Sequence, residues 1–245
     1  MSAPTLYVAL DVATAAEARA LARALRGLPV GLKVGLELVH GAGPALVREL
    51  AAQAPVLLDA KLHDIPQTVE RASRAIGRLG AGLVTAHALG GREMLLRAGR
   101  ALAAASRAAG FPPAGILAVS LLTSHDEALV RDELGLSDAL PLAVERLSRL
   151  ASGAGCAGVV CAPPEAAAVR AVLAPGSLVV TPGIRPAAVG GDDQRRTATP
   201  AEAIRAGAST LVVGRPITAA PDPRRAAMAV LAEVAGAGGG TALAR

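Results

Sequence analysis

The sequence predicts a single-domain α/β fold, the (β/α)₈ or TIM barrel. Eight short apolar runs alternate with longer segments that are rich in Ala, Leu and Arg at helical spacing. Glycines such as Gly27 and Gly80 follow these longer segments, as is common where helices end. A chain of 245 residues has the usual length for such a barrel, and no linker divides it. We expect the barrel over residues 1–235 and a disordered, Gly- and Ala-rich tail over 236–245.

The predicted elements follow one another in the order that a barrel requires. The strands are Leu6–Leu10, Val30–Val34, Val56–Ala60, Leu83–Ala86, Gly115–Val119, Gly158–Cys161, Leu178–Thr181 and Thr210–Val213. The helices between them include Ala15–Leu25, Ala45–Ala52, Val69–Leu79 and Pro141–Ala151. The main alternative is a doubly wound open sheet. Its dinucleotide-binding variant is disfavoured, because no Gly-x-Gly-x-x-Gly follows the first strand.

The composition narrows the class of function. The formal charge is +5, from 25 basic and 20 acidic residues, which suits an anionic small substrate. Nucleic-acid binding is disfavoured, because the basic residues are scattered and Tyr7 and Phe111 are the only aromatics. Cys156 and Cys161 are too few for a metal site and are expected to be core residues in a reducing compartment. We expect no secretory signal, no membrane association and a cytoplasmic location.

Charged residues interrupt the end of the third predicted strand. Asp59 and Lys61 are two residues apart, so both side chains should leave the same face of the strand, and Asp64 follows on the next loop. Burying such charges costs several kcal/mol each unless they pair with one another. A salt bridge that only closes the strand end is the structural alternative. The functional interpretation is a preorganised site of alternating charge.

The other strands also end in polar residues, and in a barrel these carboxyl ends meet at the active-site face. The residues at these ends are Asp11, Lys33, His87, Thr123, Ser124, Pro182-Gly183-Ile184-Arg185 and Gly214-Arg215-Pro216. The loops that follow strands seven and eight commonly bind phosphate in this fold, and the paired N–H donors of an arginine guanidinium match phosphate oxygens. The segment Ala187–Thr197 is long enough to close as a lid that carries Gln194, although a solvated turn is the alternative. The four histidines lack metal-ligand spacing, so we expect no metal site.

The stretch from Asp59 to Thr68 closely resembles the D-x-K-x-x-D-I-P-x-T signature of orotidine 5′-phosphate decarboxylases. Further matches follow in the order and spacing of that family and cover the chain from about Leu6 to Pro223. They are Leu10-Asp11-Val12, Leu32-Lys33-Val34-Gly35, Leu122-Thr123-Ser124, Thr181-Pro182-Gly183-Ile184-Arg185-Pro186, Asp193-Gln194-Arg195-Arg196 and Val213-Gly214-Arg215-Pro216.

The resemblance implies a decarboxylase of pyrimidine biosynthesis that converts orotidine 5′-phosphate to UMP without a cofactor or metal. Lys61 would protonate C6 of the pyrimidine as carbon dioxide leaves. Lys33, Asp59, Lys61 and Asp64 would form the alternating charged array. The protein would be a homodimer, with Asp64 and Thr68 supplied to each site by the partner subunit.

The resemblance also implies how the substrate is held. Asp11 and Lys33 would contact the ribose hydroxyls, and Thr123 would contact the pyrimidine edge. The phosphate region would be bound by Arg185, Gln194, Gly214 and Arg215, and Pro182 would be a further substrate-binding residue.

Two rival functions remain open at this stage. A magnesium-dependent sugar-phosphate decarboxylase or synthase of the same superfamily would share the D-x-K-x-x-D core, but it would need an acid where this chain has Lys33. A non-catalytic sensor of phosphate ligands would keep Gly214 and Arg215 but would not need Lys61 between two acids. Activity in EDTA separates the first rival from the decarboxylase, and the phenotype of Lys61→Ala separates the second.

Overall fold

The computed structural model describes residues 3–186 and 197–238. Eight parallel strands pair in sequence order, and β8 pairs with β1 to close the barrel. The strands are β1 Leu6–Ala9, β2 Gly31–Val34, β3 Val56–Leu62, β4 Leu83–His87, β5 Gly115–Val119, β6 Gly158–Val160, β7 Leu178–Thr181 and β8 Thr210–Val213. The predicted (β/α)₈ barrel is confirmed, with strand ends that differ from the prediction by two residues at most.

Helices connect the strands as predicted. They are α1 Ala15–Ala24, α2 Leu36–Ala42, α3 Pro44–Ala51, α4 Pro66–Ile76, α5 Gly91–Ala108, α6 Leu140–Gly153, α7 Ala166–Val172, α8 Pro200–Arg205, α9 Arg215–Thr218 and α10 Pro223–Gly238. Thr14 starts α1 and Thr199 starts α8 with capping boxes, because each threonine is followed three residues later by a glutamate. In the described part of the chain, no helix has the length and apolarity needed to cross a membrane.

The C-terminal boundary differs from the prediction. We expected the disordered tail to begin at residue 236, but α10 continues to Gly238. Val230 and Val234 bury their side chains against the barrel and hold the preceding turns of this helix in place. Residues 239–245 lie outside the described residues.

Alternate residues of each strand enter two separate apolar layers. One layer lies between the barrel and its helices, and the other fills the barrel interior with Tyr7, Ala9, Leu57, Leu83, Leu117, Val180 and Val212. Tyr7 pairs with Gly31 on β2, and a side chain at Gly31 would overlap the tyrosine ring. The interior beneath the active-site face is therefore packed with apolar groups, which weakens dielectric screening above it.

The pairing of β3 with β4 contains an irregularity. Leu58 pairs with Val84 and Leu62 pairs with Ala86, so three residues of β3 face Thr85 alone on β4. Lys61, within this bulge, has a φ of 49°, and among the described residues it is the non-glycine residue with a positive φ. The predicted end of β3 at Ala60 was therefore wrong by two residues, because the bulge lets the strand resume pairing after the charged segment.

Candidate active site

A cavity of about 390 Å³ opens at the carboxyl ends of the strands. Nine of the predicted site residues line it, namely Asp11, Lys33, Asp59, Lys61, Thr123, Pro182, Arg185, Gly214 and Arg215. Apolar side chains complete the walls, among them Leu57, Leu121 and Val160. The sequence-based selection of strand ends therefore contains most of the polar residues that line one continuous cavity.

Four charged side chains form a continuous network on one wall of this cavity. Lys33 Nζ donates to Asp11 Oδ1 at 2.9 Å and to Asp59 Oδ2 at 3.3 Å. Lys61 Nζ donates to Asp59 Oδ1 at 2.6 Å. The charges alternate in the order Asp11, Lys33, Asp59, Lys61, which leaves the network without net charge.

The centre of the network is shielded from solvent, with side-chain exposures of 12% for Lys33 and 14% for Asp59. Burial by itself would raise the pKa of Asp59, but Lys33 and Lys61 outweigh it, so the pKa of Asp59 is lowered. Burial would likewise lower the pKa of Lys33, but Asp59 and Asp11 outweigh it, so the pKa of Lys33 is raised. Both groups are therefore charged at neutral pH.

The rarity of lysine in the sequence also points to this site, in addition to the polar strand ends. The chain has 25 basic residues, and only Lys33 and Lys61 among them are lysines. Both belong to the charged network, whereas every other basic residue is an arginine. A guanidinium hardly loses its proton, whereas an ammonium can be tuned to do so. The count therefore singles out these two positions in a chain whose other basic residues are arginines.

Thr85 on β4 also belongs to this wall, although the sequence analysis did not select it. Its hydroxyl accepts from the backbone N–H of Lys61 at 2.9 Å and donates to Asp59 Oδ1 at 2.8 Å. The side chain is 2% exposed and lines the cavity. Its position could have indicated this role, because Thr85 lies two residues before His87 in an apolar strand and both side chains should leave the same face.

Two arginines line the cavity from the region of β7 and β8. β3, which carries Asp59 and Lys61, and β7, which Arg185 follows, are four strands apart and so lie on opposite sides of the eight-stranded barrel. The stems of the loop after β7 are joined, since Arg185 N donates to Ala198 O at 2.9 Å. A Cβ atom on Gly214 would lie 3.6 Å from Ala9 Cβ and 3.7 Å from Asp11 Oδ2, which are ordinary contacts. Packing therefore does not require this glycine.

Two of the predicted site residues that the structure describes, Asp64 and Thr68, are not part of this lining. Asp64 is exposed, and its Oδ1 accepts from the N–H of Ile65 at 2.6 Å. Thr68 is exposed in the first turn of α4. Within residues 3–186 and 197–238, no ion pair joins Asp64 to Lys61. Gln194 and the predicted lid over Ala187–Thr197 fall, except for Thr197 itself, outside the described residues.

The histidines near the site form no metal centre in the described part of the chain. His63 and His87 have ring centroids 5.5 Å apart, at an interplanar angle of 31°. Burial lowers the pKa of His87, and the nearby His63 and Lys61 lower it further. His87 is therefore neutral near pH 7. Cys161, interpreted as a core residue, is buried and lines the cavity as well.

Comparison with known proteins is consistent with this geometry. The model of the family described as "Orotidine 5′-phosphate decarboxylase / HUMPS family" matches residues 4–230. The chain belongs to this family. The resemblance found in the motifs is thus confirmed over nearly the whole barrel.

Similar proteins within the orotidine 5′-phosphate decarboxylase / HUMPS family cover most of the chain. An orotidine 5′-phosphate decarboxylase of Anaeromyxobacter sp. (strain K) is 53% identical over 91% of this chain and 95% of its own length. An orotidine 5′-phosphate decarboxylase of Halorhodospira halophila is 52% identical over 96% of this chain and 98% of its own length. The crystal structure of orotidine 5′-phosphate decarboxylase from Lactobacillus acidophilus has a TM-score of 0.84 at 35% identity, covering 94% of this chain and 99% of that one.

Proposed function

We propose that this protein decarboxylates orotidine 5′-phosphate to UMP in pyrimidine biosynthesis, and that Lys61 is the proton donor. One observation carries the assignment of roles. The Lys61 ammonium is held 2.6 Å from Asp59 on the wall of a cavity that Arg185 and Arg215 also line. This arrangement can hold a phosphate at one side and place a cation at the other, as a phosphorylated nucleoside that becomes a carbanion requires.

The proposed chemical step uses one protein group. The bond between C6 and the carboxylate breaks, carbon dioxide leaves, and the electron pair remains on C6. A proton from Lys61 Nζ then forms the C6–H bond, and the neutral amine regains a proton from solvent. Because the electron pair lies in the ring plane, the ring cannot delocalise it. A fixed ammonium stabilises this charge without the reorganisation that mobile water would need.

Two effects could lower the barrier to decarboxylation: stabilisation of the carbanion and repulsion of the substrate carboxylate. Their magnitudes favour stabilisation of the carbanion as the larger contribution. Two carboxylates ~4 Å apart repel by about 4 kcal/mol at an effective dielectric of 20. Enzymes lower barriers by roughly 8–23 kcal/mol, so repulsion by Asp59 alone is too small. We assign Asp59 the further task of holding both ammonium groups, since one of its oxygens accepts from Lys33 and the other from Lys61.

The remaining cavity residues are proposed to bind the substrate. Asp11 and Lys33 contact the ribose hydroxyls, and Thr123 contacts the edge of the pyrimidine. Arg185, Gln194, Gly214 and Arg215 form the phosphate region, and Pro182 is a further substrate contact. The absence of a packing requirement for glycine at 214 supports this, because the missing side chain leaves the backbone accessible to a ligand.

We further propose that the active form is a homodimer in which Asp64 and Thr68 complete the partner subunit's site. Both residues follow β3 closely but do not line the cavity of their own chain. Ile65 between them is 64% exposed, and the neighbouring connections expose Leu36 and Leu89 by 47% and 39%. All three residues follow strands at the same end of the barrel, and a contiguous apolar patch there would be typical of an interface.

The magnesium-dependent alternative is not favoured by the geometry. Lys33 occupies the position where that reaction would need an acidic metal ligand, and its ammonium already contacts both Asp11 and Asp59. A cation there repels a divalent metal. We expect full decarboxylase activity in excess EDTA, and loss of activity in the chelator would support the alternative.

Lys61→Ala and Lys61→Arg test the proposed role directly. Both variants should lose turnover of orotidine 5′-phosphate by at least about a hundredfold, within the usual range for loss of general acid catalysis. UMP binding, measured by calorimetry, should remain. The arginine keeps the positive charge but does not release a proton at neutral pH. Near-wild-type turnover of Lys61→Arg would show that charge suffices, and near-wild-type turnover of Lys61→Ala would remove Lys61 from the mechanism.

A further inference from the structure

The segment Asp59-Ala60-Lys61 lacks the regular partner that a strand of this barrel normally has. Between the pairs Leu58–Val84 and Leu62–Ala86, these three residues face only Thr85. The backbone of Lys61 has a φ of 49°, in the left-handed region that residues other than glycine rarely adopt. Such a conformation persists only where the surroundings fix it.

The Thr85 side chain supplies the contacts that the missing backbone pairing would provide. Its hydroxyl accepts a hydrogen bond from Lys61 N and donates one to Asp59 Oδ1. One hydroxyl therefore joins the backbone of the residue with the unusual φ to the carboxylate that holds both lysines. A hydroxyl has one proton to donate and lone pairs to accept with, so threonine or serine suits this position and valine does not.

We propose that Thr85 is a positioning residue that fixes Lys61 and Asp59 in their active geometry. Without the hydroxyl, Lys61 N–H loses its acceptor, and Asp59 Oδ1 keeps only the Lys61 ammonium as a donor. The carboxylate then gains rotational freedom, and the Lys61 ammonium moves with it. This inference rests on the proposed role of Lys61 in the decarboxylation.

The kinetic test compares Thr85→Val, which replaces the hydroxyl with a methyl group, with Thr85→Ser, which keeps the hydroxyl and loses the methyl group. We expect Thr85→Val to lower kcat by about tenfold to a hundredfold, the range for a lost hydrogen bond to a charged group. KM and UMP binding should change by less than about threefold, and Thr85→Ser should stay near wild type. Thr210→Val is the matched control, because Thr210 is also buried on a strand and, within the described residues, its hydroxyl donates to the Pro4 carbonyl at 3.3 Å and not to a residue of the cavity.

Three kinetic outcomes would overturn the proposal. Wild-type kcat in Thr85→Val would show that the hydroxyl is dispensable. Equal losses in the valine and serine variants would assign the effect to packing of the side chain and not to its hydroxyl, because serine keeps the hydroxyl. A rise in KM with unchanged kcat would show direct contact with the substrate, which is the competing explanation because Thr85 lines the cavity.

A measurement on the unmodified protein keeps the proposal testable if Thr85→Val fails to fold. In the wild type, the Lys61 amide should exchange with D₂O slowly, and in Thr85→Ser it should remain protected. Rapid exchange of that amide in the wild type would contradict the proposed hydrogen bond. This readout does not use turnover, so it is unaffected if Lys61→Ala proves active and the proposed function of Lys61 is wrong.

Discussion

Asp59 and Lys61 are two residues apart on β3, and their charged atoms lie 2.6 Å apart on the wall of the cavity. Asp59 faces Lys33 with its other oxygen at 3.3 Å. One carboxylate therefore holds two ammonium groups, and the bulge in β3 determines where the second of them points. The stability and the activity of this protein should both depend on that carboxylate.

Asp59→Asn should destabilise the fold by about 3 kcal/mol, because it leaves two shielded ammonium groups without their shared anion. The free energy of unfolding, measured with urea, checks this. Glu49→Gln is the control, since it breaks a pair with Arg19 whose side chains are 43% and 39% exposed. Such a surface pair contributes less than about 1 kcal/mol. Equal effects of the two variants would mean that burial does not strengthen the Asp59 interactions.

The left-handed backbone at Lys61 predicts that glycine is more stabilising than alanine at this position, which is the reverse of the usual order of the two residues. Lys61→Gly should be more stable than Lys61→Ala by about 1 kcal/mol, because alanine bears the cost of a positive φ and glycine does not. At Lys33, which has no positive φ, alanine should be the more stable residue by about 0.5–1 kcal/mol. Chemical denaturation of the four variants measures both differences. The same order at both positions would contradict the backbone conformation of Lys61.

The lowered pKa of His87 predicts a loss of stability in mild acid. Burial, together with His63 and Lys61, lowers its folded-state pKa below the ordinary value of 6.5. The unfolded chain then binds a proton more readily than the native one. The stability contribution is complete above about pH 6.5 and is lost as the pH falls through the folded pKa.

His87→Gln should therefore reduce the difference in unfolding free energy between pH 7.5 and pH 5. Exposed His40 on α2 provides the control variant His40→Gln, which should retain the wild-type difference. Thermal or urea unfolding at several pH values gives both slopes. A His87→Gln protein with the wild-type pH dependence would exclude this histidine as the cause.

A shared site predicts complementation between inactive variants. Lys61→Ala and Asp64→Ala should each lack activity, and mixing them with subunit exchange should restore about a quarter of wild-type activity in statistically formed dimers, since half are mixed and each mixed dimer has one intact site. Mixing Lys61→Ala with Asp59→Asn is the control, because both changes lie in the same cavity lining. That pair should stay inactive. Absence of recovery in the first mixture, with exchange verified by mass labelling, would place Asp64 in its own chain's site.

The barrel and most of its polar lining could be predicted because strand ends are local features of the sequence. Short apolar runs fix the strands, and polar residues such as Asp11 and Arg215 directly after them must lie at one face. Spacing by two residues correctly placed Asp59 and Lys61 on the same wall of the cavity.

The bulge and the role of Thr85 could not be predicted in the same way. Both depend on the register between β3 and β4, and nothing within Val56–Leu62 shows that two extra residues are accommodated there. A positive φ is usually signalled by glycine, whereas here it occurs at Lys61. Tertiary contacts from a neighbouring strand impose this conformation, and a single segment does not encode them.

The restriction of lysine to positions 33 and 61 makes the candidate active site accessible to selective chemical modification. Amine-selective reagents would find two side-chain targets in the whole chain, both within one cavity. Reductive methylation with ¹³C-formaldehyde would thus place isotopic probes in this cavity and at the α-amino terminus alone. Two side-chain resonances would then report the protonation and environment of each ammonium group without any engineered label.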